Sequence, residues 1–245
     1  MRRVTTWTLA AVAALGLALP AHADFKVVQK NHTDAVKMMG HEQPARDIVS
    51  TTWIGDRMMR MDEGDSSFIV RLDRKKLYLV DHAEKKVTEV EIPIDISRYL
   101  PPQMQQMMAG MMKMSATVTP TDETRKVGRW TARKYLITIS SPMMSTKQVA
   151  WAAKDLGFDV STYAAMAREI MKLQPGMEEV VKELSKVEGM VVLQESTTTV
   201  MGSSVKSRQE VVSVETSGPP PGGYEPPSDY TREPFDPMKM MQKKK

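Results

Sequence analysis

The chain of 245 residues contains no cysteine. This absence excludes a disulfide framework, thiolate metal sites, iron–sulfur clusters, a cysteine nucleophile and lipid modification of an N-terminal cysteine. Aromatic residues are also few, with four tryptophans, six tyrosines and four phenylalanines. Methionine is unusually common, with 22 copies. Thioether sulfur is therefore the only sulfur chemistry that the chain offers.

The chain also lacks a strong excess of one charge. Its formal net charge is +4, and it has four histidines. A charge this small does not predict binding to nucleic acid. The sequence has no glycine-rich phosphate loop and no Gly-x-Ser-x-Gly motif. We therefore expect a protein that is not an enzyme, with no cofactor and no nucleic-acid partner.

Long apolar runs are missing as well, except at the N-terminus. Two early arginines precede the apolar run Leu9–Leu19, and Ala21–Ala23 has the small-x-small pattern of a cleavage site. This is the pattern of a secretory signal peptide over residues 1–23. The run is too short to remain as a membrane-spanning helix. We expect cleavage after Ala23 and a periplasmic or secreted mature protein without a transmembrane span.

Alternating apolar and polar residues predict strands in residues 24–92. Phe68, Val70 and Leu72 share one face of a strand, and the charged residues that follow suit a tight turn. Upstream, the segment Ile48–Met61 predicts one longer strand, bent at Gly55. Short strands joined by charged turns are typical of an antiparallel meander.

The second half of this region mixes strands with two helices. A strand is predicted within Lys126–Ser140, with Tyr135, Ile137 and Ile139 on one face, and another over Lys147–Ala153. Asp159 is a suitable N-cap for a helix that ends near Leu173. A second helix is predicted over Met177–Val187, because apolar residues recur there at helical spacing. Two Val- and Thr-rich strands follow. The whole of residues 24–216 is predicted to be one α+β domain.

Methionines form a stripe in residues 103–114, where the chain predicts a short amphipathic helix. Five of them follow the spacing of one helix face: Met104, Met107, Met108, Met111 and Met112. Three interpretations stay open. The stripe fills an irregular core, lines an apolar groove for a lipid-like ligand, or binds Cu(I) or Ag(I) through its thioethers.

Other candidate ligand residues are tryptophans and histidines. Trp53 and Trp151 either belong to the core of the sheet or stack on a ligand from its concave face. The segment His32–His41 brings together His32, Met38, Met39 and His41, a set that suits a soft metal ion if a loop converges them. The alternative is that both histidines are solvated.

The last segment, residues 217–245, is rich in proline and ends in three lysines. It lacks periodicity, and we predict a flexible tail. Tyr224, Tyr230 and Phe235 are the residues suited to anchor parts of this tail to the domain.

Several stretches carry a resemblance to a known family. They are Trp53–Met61, Val70–Lys76, Gly128–Tyr135 and Gln148–Trp151. Together they resemble a family of bacterial exported proteins known mainly as a domain of unknown function. The order of elements over residues 24–214 is similar to the outer-membrane lipoprotein carrier (LolA/LolB-like) superfamily. That resemblance implies a curved antiparallel sheet, an open half-barrel, with helices on its concave face.

Composition, pattern and resemblance together lead to one functional hypothesis. We expect an exported binding protein whose partner is an apolar small molecule or lipid, or an envelope protein that carries a lipid. The ligand would lie in a methionine-lined groove. Two alternatives remain, namely periplasmic Cu(I) or Ag(I) binding through thioethers and a structural envelope protein with no small ligand.

Overall fold

We obtained a computed structural model of the chain, which describes residues 24–38, 41–94, 113–173, 176–200 and 202–236. The predicted signal peptide and residues 103–112 of the predicted methionine helix lie outside these ranges. The described elements, in chain order, are β1 (Phe25–Thr33), β2 (Val36–Met38), β3 (His41–Gln43), β4 (Arg46–Gly55), β5 (Met58–Glu63), β6 (Ser66–Arg71), β7 (Lys76–Asp81), β8 (Lys86–Glu91), β9 (Ser115–Val127), β10 (Trp130–Ser140), β11 (Met144–Ala153), α1 (Val160–Lys172), α2 (Glu178–Leu184), β12 (Met190–Val200), β13 (Ser203–Thr216) and β14 (Thr231–Pro234).

Twelve of these strands form one sheet, in the order β14-β8-β7-β6-β5-β4-β1-β13-β12-β11-β10-β9. Strands β2 and β3 form a separate small hairpin. Neighbouring strands are antiparallel, except that β14 runs parallel to β8. The sheet curves into an open half-barrel whose concave side carries the helices. The predicted α+β fold with a curved antiparallel sheet is therefore confirmed.

The two faces of the sheet follow from the alternation of side chains along each strand. Phe25 and Val27 in β1 and Ile54 in β4 are buried in the main apolar core. Met166 from α1 is part of the same core. This face is therefore the concave one, and the residues between these positions point to the convex side. Among the described residues, no helix has the length and hydropathy to cross a bilayer.

One strand predicted from the sequence is divided by a tight turn. The segment Ile48–Met61 is not one bent strand, because β4 and β5 form a hairpin around Asp56 and Arg57. Arg57 adopts a positive φ of 56° there. The strand predicted within Lys126–Ser140 is β10, and Gly128 takes a positive φ of 55° in the turn that precedes it. Glycine adopts this conformation at little cost.

Residues 217–236, which the composition predicts to be part of a flexible tail, pack mainly along the convex face, and Phe235 near their end packs against the main apolar core. The Tyr224 hydroxyl donates a hydrogen bond to the Asp24 carboxylate at 3.0 Å, and β14 pairs with β8. Tyr230 packs against a second apolar cluster that contains Ile69. Aromatic side chains and strand pairing hold this segment against the domain. Its high proline content alone predicts no such fixed structure.

Charged side chains also hold the C-terminal segment. Arg71 is 6% exposed and forms ion pairs with Asp73 and with Glu225 of that segment. Arg74 reaches the other oxygen of Glu225 at 2.8 Å. The Arg71 guanidinium holds the pKa of Asp73 below its usual range. A buried arginine whose fork is shared by two carboxylates fixes geometry as well as charge.

Candidate functional site

The candidate site is a cavity of about 330 Å³ between the two helices and the concave face of the sheet. Its walls come from α1 and α2, and its floor from β1, β10, β11, β12 and β13. Cavities that hold small molecules span roughly 300–1,000 Å³. This one therefore has the size of a small ligand site, at the lower end of that range.

Most of the cavity surface is aliphatic. Seven branched side chains from the sheet, α2 and the segment after it share this role: Ile137, Ile139, Leu184, Val187, Val191, Val192 and Val211. Apolar walls with a few polar groups are typical of small-molecule sites, since burial of apolar ligand surface supplies the affinity.

Helix α1 provides one wall. As predicted, Asp159 caps the helix, because its carboxylate accepts a hydrogen bond from the Ser161 N–H at 2.9 Å. Ala164, Ala167, Arg168 and Met171 follow the i, i+3, i+4, i+7 spacing of one helix face, and all four line the cavity. The two alanines have no side chain beyond Cβ. The cavity therefore exists partly because this face of α1 is small.

Four glutamines form a polar strip on the floor: Gln29 in β1, Gln148 in β11, Gln194 in β12 and Gln209 in β13. Gln194 and Gln209 lie directly opposite each other across the β12–β13 pair. No other residue in the described part of the chain forms a hydrogen bond with the four side-chain amides. Their donors and acceptors are therefore available to an occupant of the cavity.

Tyr163 and Arg168 add two further polar groups from α1. Burial raises the pKa of the Tyr163 phenol above its ordinary value of 10.0. The hydroxyl therefore stays protonated at neutral pH and can donate a hydrogen bond. Arg168 is half-buried, and its guanidinium offers hydrogen-bond donors and no acceptor.

Helix α2 is held firmly against the edge of the sheet. The Glu183 carboxylate accepts a hydrogen bond from the Val118 N–H at 3.0 Å. The Lys186 ammonium, which pairs with Glu183, and this N–H hold the pKa of Glu183 below its usual range. The Tyr135 hydroxyl accepts from the Glu188 N–H at 3.2 Å. These bonds fix the wall that carries Leu184.

The residues predicted from the sequence to bind an apolar ligand are not brought together here. Met104, Met107, Met108, Met111 and Met112 lie outside the described residues, and the methionine in the cavity wall is Met171.

The two predicted tryptophans lie apart from the cavity walls. Trp53 is half-buried on the convex side, paired with Lys26 and Arg60. Trp151 is a core residue with 6% exposure, and the Arg125 guanidinium covers its ring at 4.0 Å. Neither indole lines this cavity.

The predicted soft-metal set is only partly within the described residues. The His32 imidazole is bound by two carboxylates, Asp47 at 2.8 Å and Asp34 at 3.1 Å. The backbones of Met38 and His41 pair in the β2–β3 hairpin, and Met39 lies outside the described residues. Across the described ranges, no cluster of three or more His, Cys, Asp or Glu side chains has the arrangement of a metal site.

A second polar cluster lies on the convex face, and it contains a serine next to a histidine. The Ser67 hydroxyl donates to Asp62 at 2.6 Å and lies 2.7 Å from Nε2 of His82. Its proton is therefore engaged by Asp62, so Nε2 of His82 donates to Ser67, and Nδ1 lies 3.0 Å from the Tyr230 hydroxyl. With Ser67 only 4% exposed, this network attaches the C-terminal segment and does not present a nucleophile.

These features define a protein built on a curved antiparallel sheet, with a cavity covered by helices. No protein-family model matches the chain, and no curated protein matches it. A solved structure titled "Structure of PNGF-II in C2 space group" is similar at 12% identity and a TM-score of 0.40. The match covers 90% of this chain and 32% of the other, so this chain spans about a third of that protein's length.

Sequence patterns did not select the polar residues of the cavity. Each glutamine lies two residues from a buried apolar residue of the same strand, so alternation places all four on the apolar face, and this signal was missed: Gln29 next to Val27, Gln148 next to Ala150, Gln194 next to Val192 and Gln209 next to Val211. Arg168 could also have been identified from the sequence. It lies on the same helical stripe as Ala164 and Ala167, where an inward-facing helix is not expected to place a cation.

Proposed function

We propose that the protein is an exported, non-enzymatic binding protein that holds an apolar, lipid-like ligand in the cavity between α1, α2 and the sheet. The observation that carries this proposal is the cavity itself, with its aliphatic walls and about 330 Å³ of space. A free small lipid and the acyl chain of a lipidated envelope partner would meet the same walls.

The small residues of α1 support this proposal. Core helices normally fill the space next to a sheet with large side chains, because protein interiors are close-packed. Here Ala164 and Ala167 face the cavity from the middle of α1, and Ala165 points away to solvent. A purely structural role for this face would favour a larger residue at position 167, since filling the space would stabilise the protein.

A direct test measures binding of N-phenyl-1-naphthylamine, a neutral apolar dye, to the mature chain (residues 24–245). We expect the wild type to bind the dye and to release it when dodecanol is added. The Ala167→Phe variant should bind about tenfold more weakly or not at all, because the phenyl ring occupies the cavity.

The matched control is Ala165→Phe, which adds the same ring to the exposed face of the same helix. This variant should keep wild-type affinity, and thermal unfolding of both variants checks that they fold. A wild type that binds neither dye nor dodecanol, or an Ala167→Phe variant with unchanged affinity, would contradict the proposal. The first result would favour a structural role.

A further inference from the structure

Arg168 is a cation in a cavity wall that contains no acidic side chain. The polar residues that line the cavity with it are glutamines, a serine and a tyrosine. Acids three or four residues away on the same helix would be the usual partners. Those positions hold Ala164, Ala165, Met171 and Lys172, none of which is acidic.

The neighbouring acid on α1 is engaged elsewhere. Glu169 is on the exposed side of the helix and pairs with Lys172 at 2.9 Å. Within the described ranges, Arg168 has no ion pair and no side-chain hydrogen bond to another residue. Its nitrogen atoms have no partner among these residues and stay accessible, so a ligand that brings an anion to this position would meet an unpaired cation.

The surrounding groups also favour an anion. The Tyr163 hydroxyl and the amide NH₂ groups of the four glutamines are hydrogen-bond donors, and they line the same cavity as Arg168. A carboxylate or phosphate accepts several hydrogen bonds and matches the planar fork of a guanidinium. The aliphatic side chains line the same cavity, so an occupant with both an anionic group and a hydrocarbon part would find contacts for each.

We propose that the ligand is a single-chain amphiphile with an anionic head group, and that Arg168 pairs with this head while the alkyl chain lies against the aliphatic walls. This inference rests on the proposed function and adds the chemical class of the ligand. Arg168 is then a specificity-determining residue, since it distinguishes an acid from the corresponding alcohol.

The test compares dodecanoate, dodecyl phosphate and dodecanol, each below its micelle concentration, as competitors of the neutral dye. The variant is Arg168→Gln, and the matched control is Lys172→Gln, which removes one positive charge from the exposed side of the same helix. We expect an anionic competitor to bind the wild type about 10- to 100-fold more tightly than it binds Arg168→Gln. Dodecanol should bind both proteins alike, and Lys172→Gln should behave as the wild type.

The outcomes separate this inference from the proposed function. If none of the three competitors and no dye binds the wild type, the proposed function fails. If dodecanol displaces the dye as effectively as the two anions do, the cavity binds apolar chains and only the proposed preference for an anionic head group is refuted. This wild-type comparison needs no variant, so it stays decisive if Arg168→Gln does not fold. Preference for dodecanoate or for dodecyl phosphate identifies the head group as a carboxylate or a phosphate.

Discussion

At the scale of single residues, His32 lies on the exposed surface between two carboxylates. Its hydrogen bond to Asp47, and then that to Asp34, raise its pKa above the ordinary 6.5. The folded state therefore binds the proton more tightly than the unfolded state. The resulting stability is fully present below the unfolded pKa and is lost as the pH rises through the folded one.

We therefore predict that an NMR titration of His32 gives a pKa above 6.5 in the wild type. In Asp47→Asn the pKa should fall, because the strongest interaction with the protonated ring is removed. The Asp34→Asn variant should lower it less. An identical titration in wild type and both variants would show that the carboxylates do not hold the proton.

The residues of the candidate site could not be identified as one site from sequence patterns alone. Methionine attracts attention because it is abundant in this chain and tryptophan because it is large, yet Trp53 faces the convex side and Trp151 is a core residue. A lone glutamine on a strand is easily taken for a solvated residue. Gln194 and Gln209 form a site only because β12 and β13 pair in one register, and a single strand's pattern carries no information about its partner.

At the scale of elements, the helices were more predictable than the hairpins. The cap at Asp159 and the apolar spacing after it predict α1 closely, because both signals are local. The turn between β4 and β5 has no such signal. Arg57 takes the left-handed conformation there, a conformation that arginine seldom adopts, so Gly55 suggested a bend in one strand.

The link from α2 to β12 depends on Gly189. This residue has a φ of +102°, and a Cβ at this position would lie 2.2 Å from the Ala153 carbonyl oxygen. Gly202, in the turn between β12 and β13, has a φ of +86° and open space around it. Both glycines adopt a positive φ, but only at Gly189 would an added Cβ also collide with a neighbouring backbone atom.

We predict that Gly202→Ala lowers the free energy of unfolding by about 1–2 kcal/mol, the usual cost of a positive φ. Gly189→Ala should cost clearly more, since the backbone of β11 must also move away. Urea denaturation of both variants measures this difference. Equal losses would mean that the backbone around Ala153 yields without cost.

At the scale of the whole molecule, the C-terminal segment covers part of the convex face. Beneath it lie Ile69, Tyr78, Val80 and Val87, which are nearly inaccessible to solvent. The cavity is on the other face and includes no residue beyond Val211. The segment therefore stabilises mainly the face opposite to the cavity, and Phe235 near its end also packs against the main core.

Ending the chain after Thr216 should therefore separate stability from binding. We predict that this truncation lowers the free energy of unfolding by about 2–5 kcal/mol, because apolar side chains become exposed and Arg71 loses Glu225. The dye affinity at low temperature should stay near that of the wild type. Unchanged stability would mean that the segment contributes nothing to the fold, and lost binding would mean that it shapes the cavity.

The overall architecture was predictable as a class but not as an arrangement. Period-2 alternation and charged turns indicate an antiparallel sheet, and the structure confirms it. The central place of β1 follows from no local pattern. Its position depends on pairing with β13, which is formed by residues near the other end of the domain, and such distant pairings are what local periodicity cannot encode.

The central position of β1 determines when the sheet can be completed during synthesis of the chain. Val27 pairs with Thr52 on one side and with Val214 on the other. A chain that stops before residue 203 leaves β1 as an apolar sheet edge, and such an edge pairs readily with other chains. Since a ribosome delivers β1 early and β13 late, the cavity forms only after nearly the whole domain has been made, and a ligand must enter after synthesis.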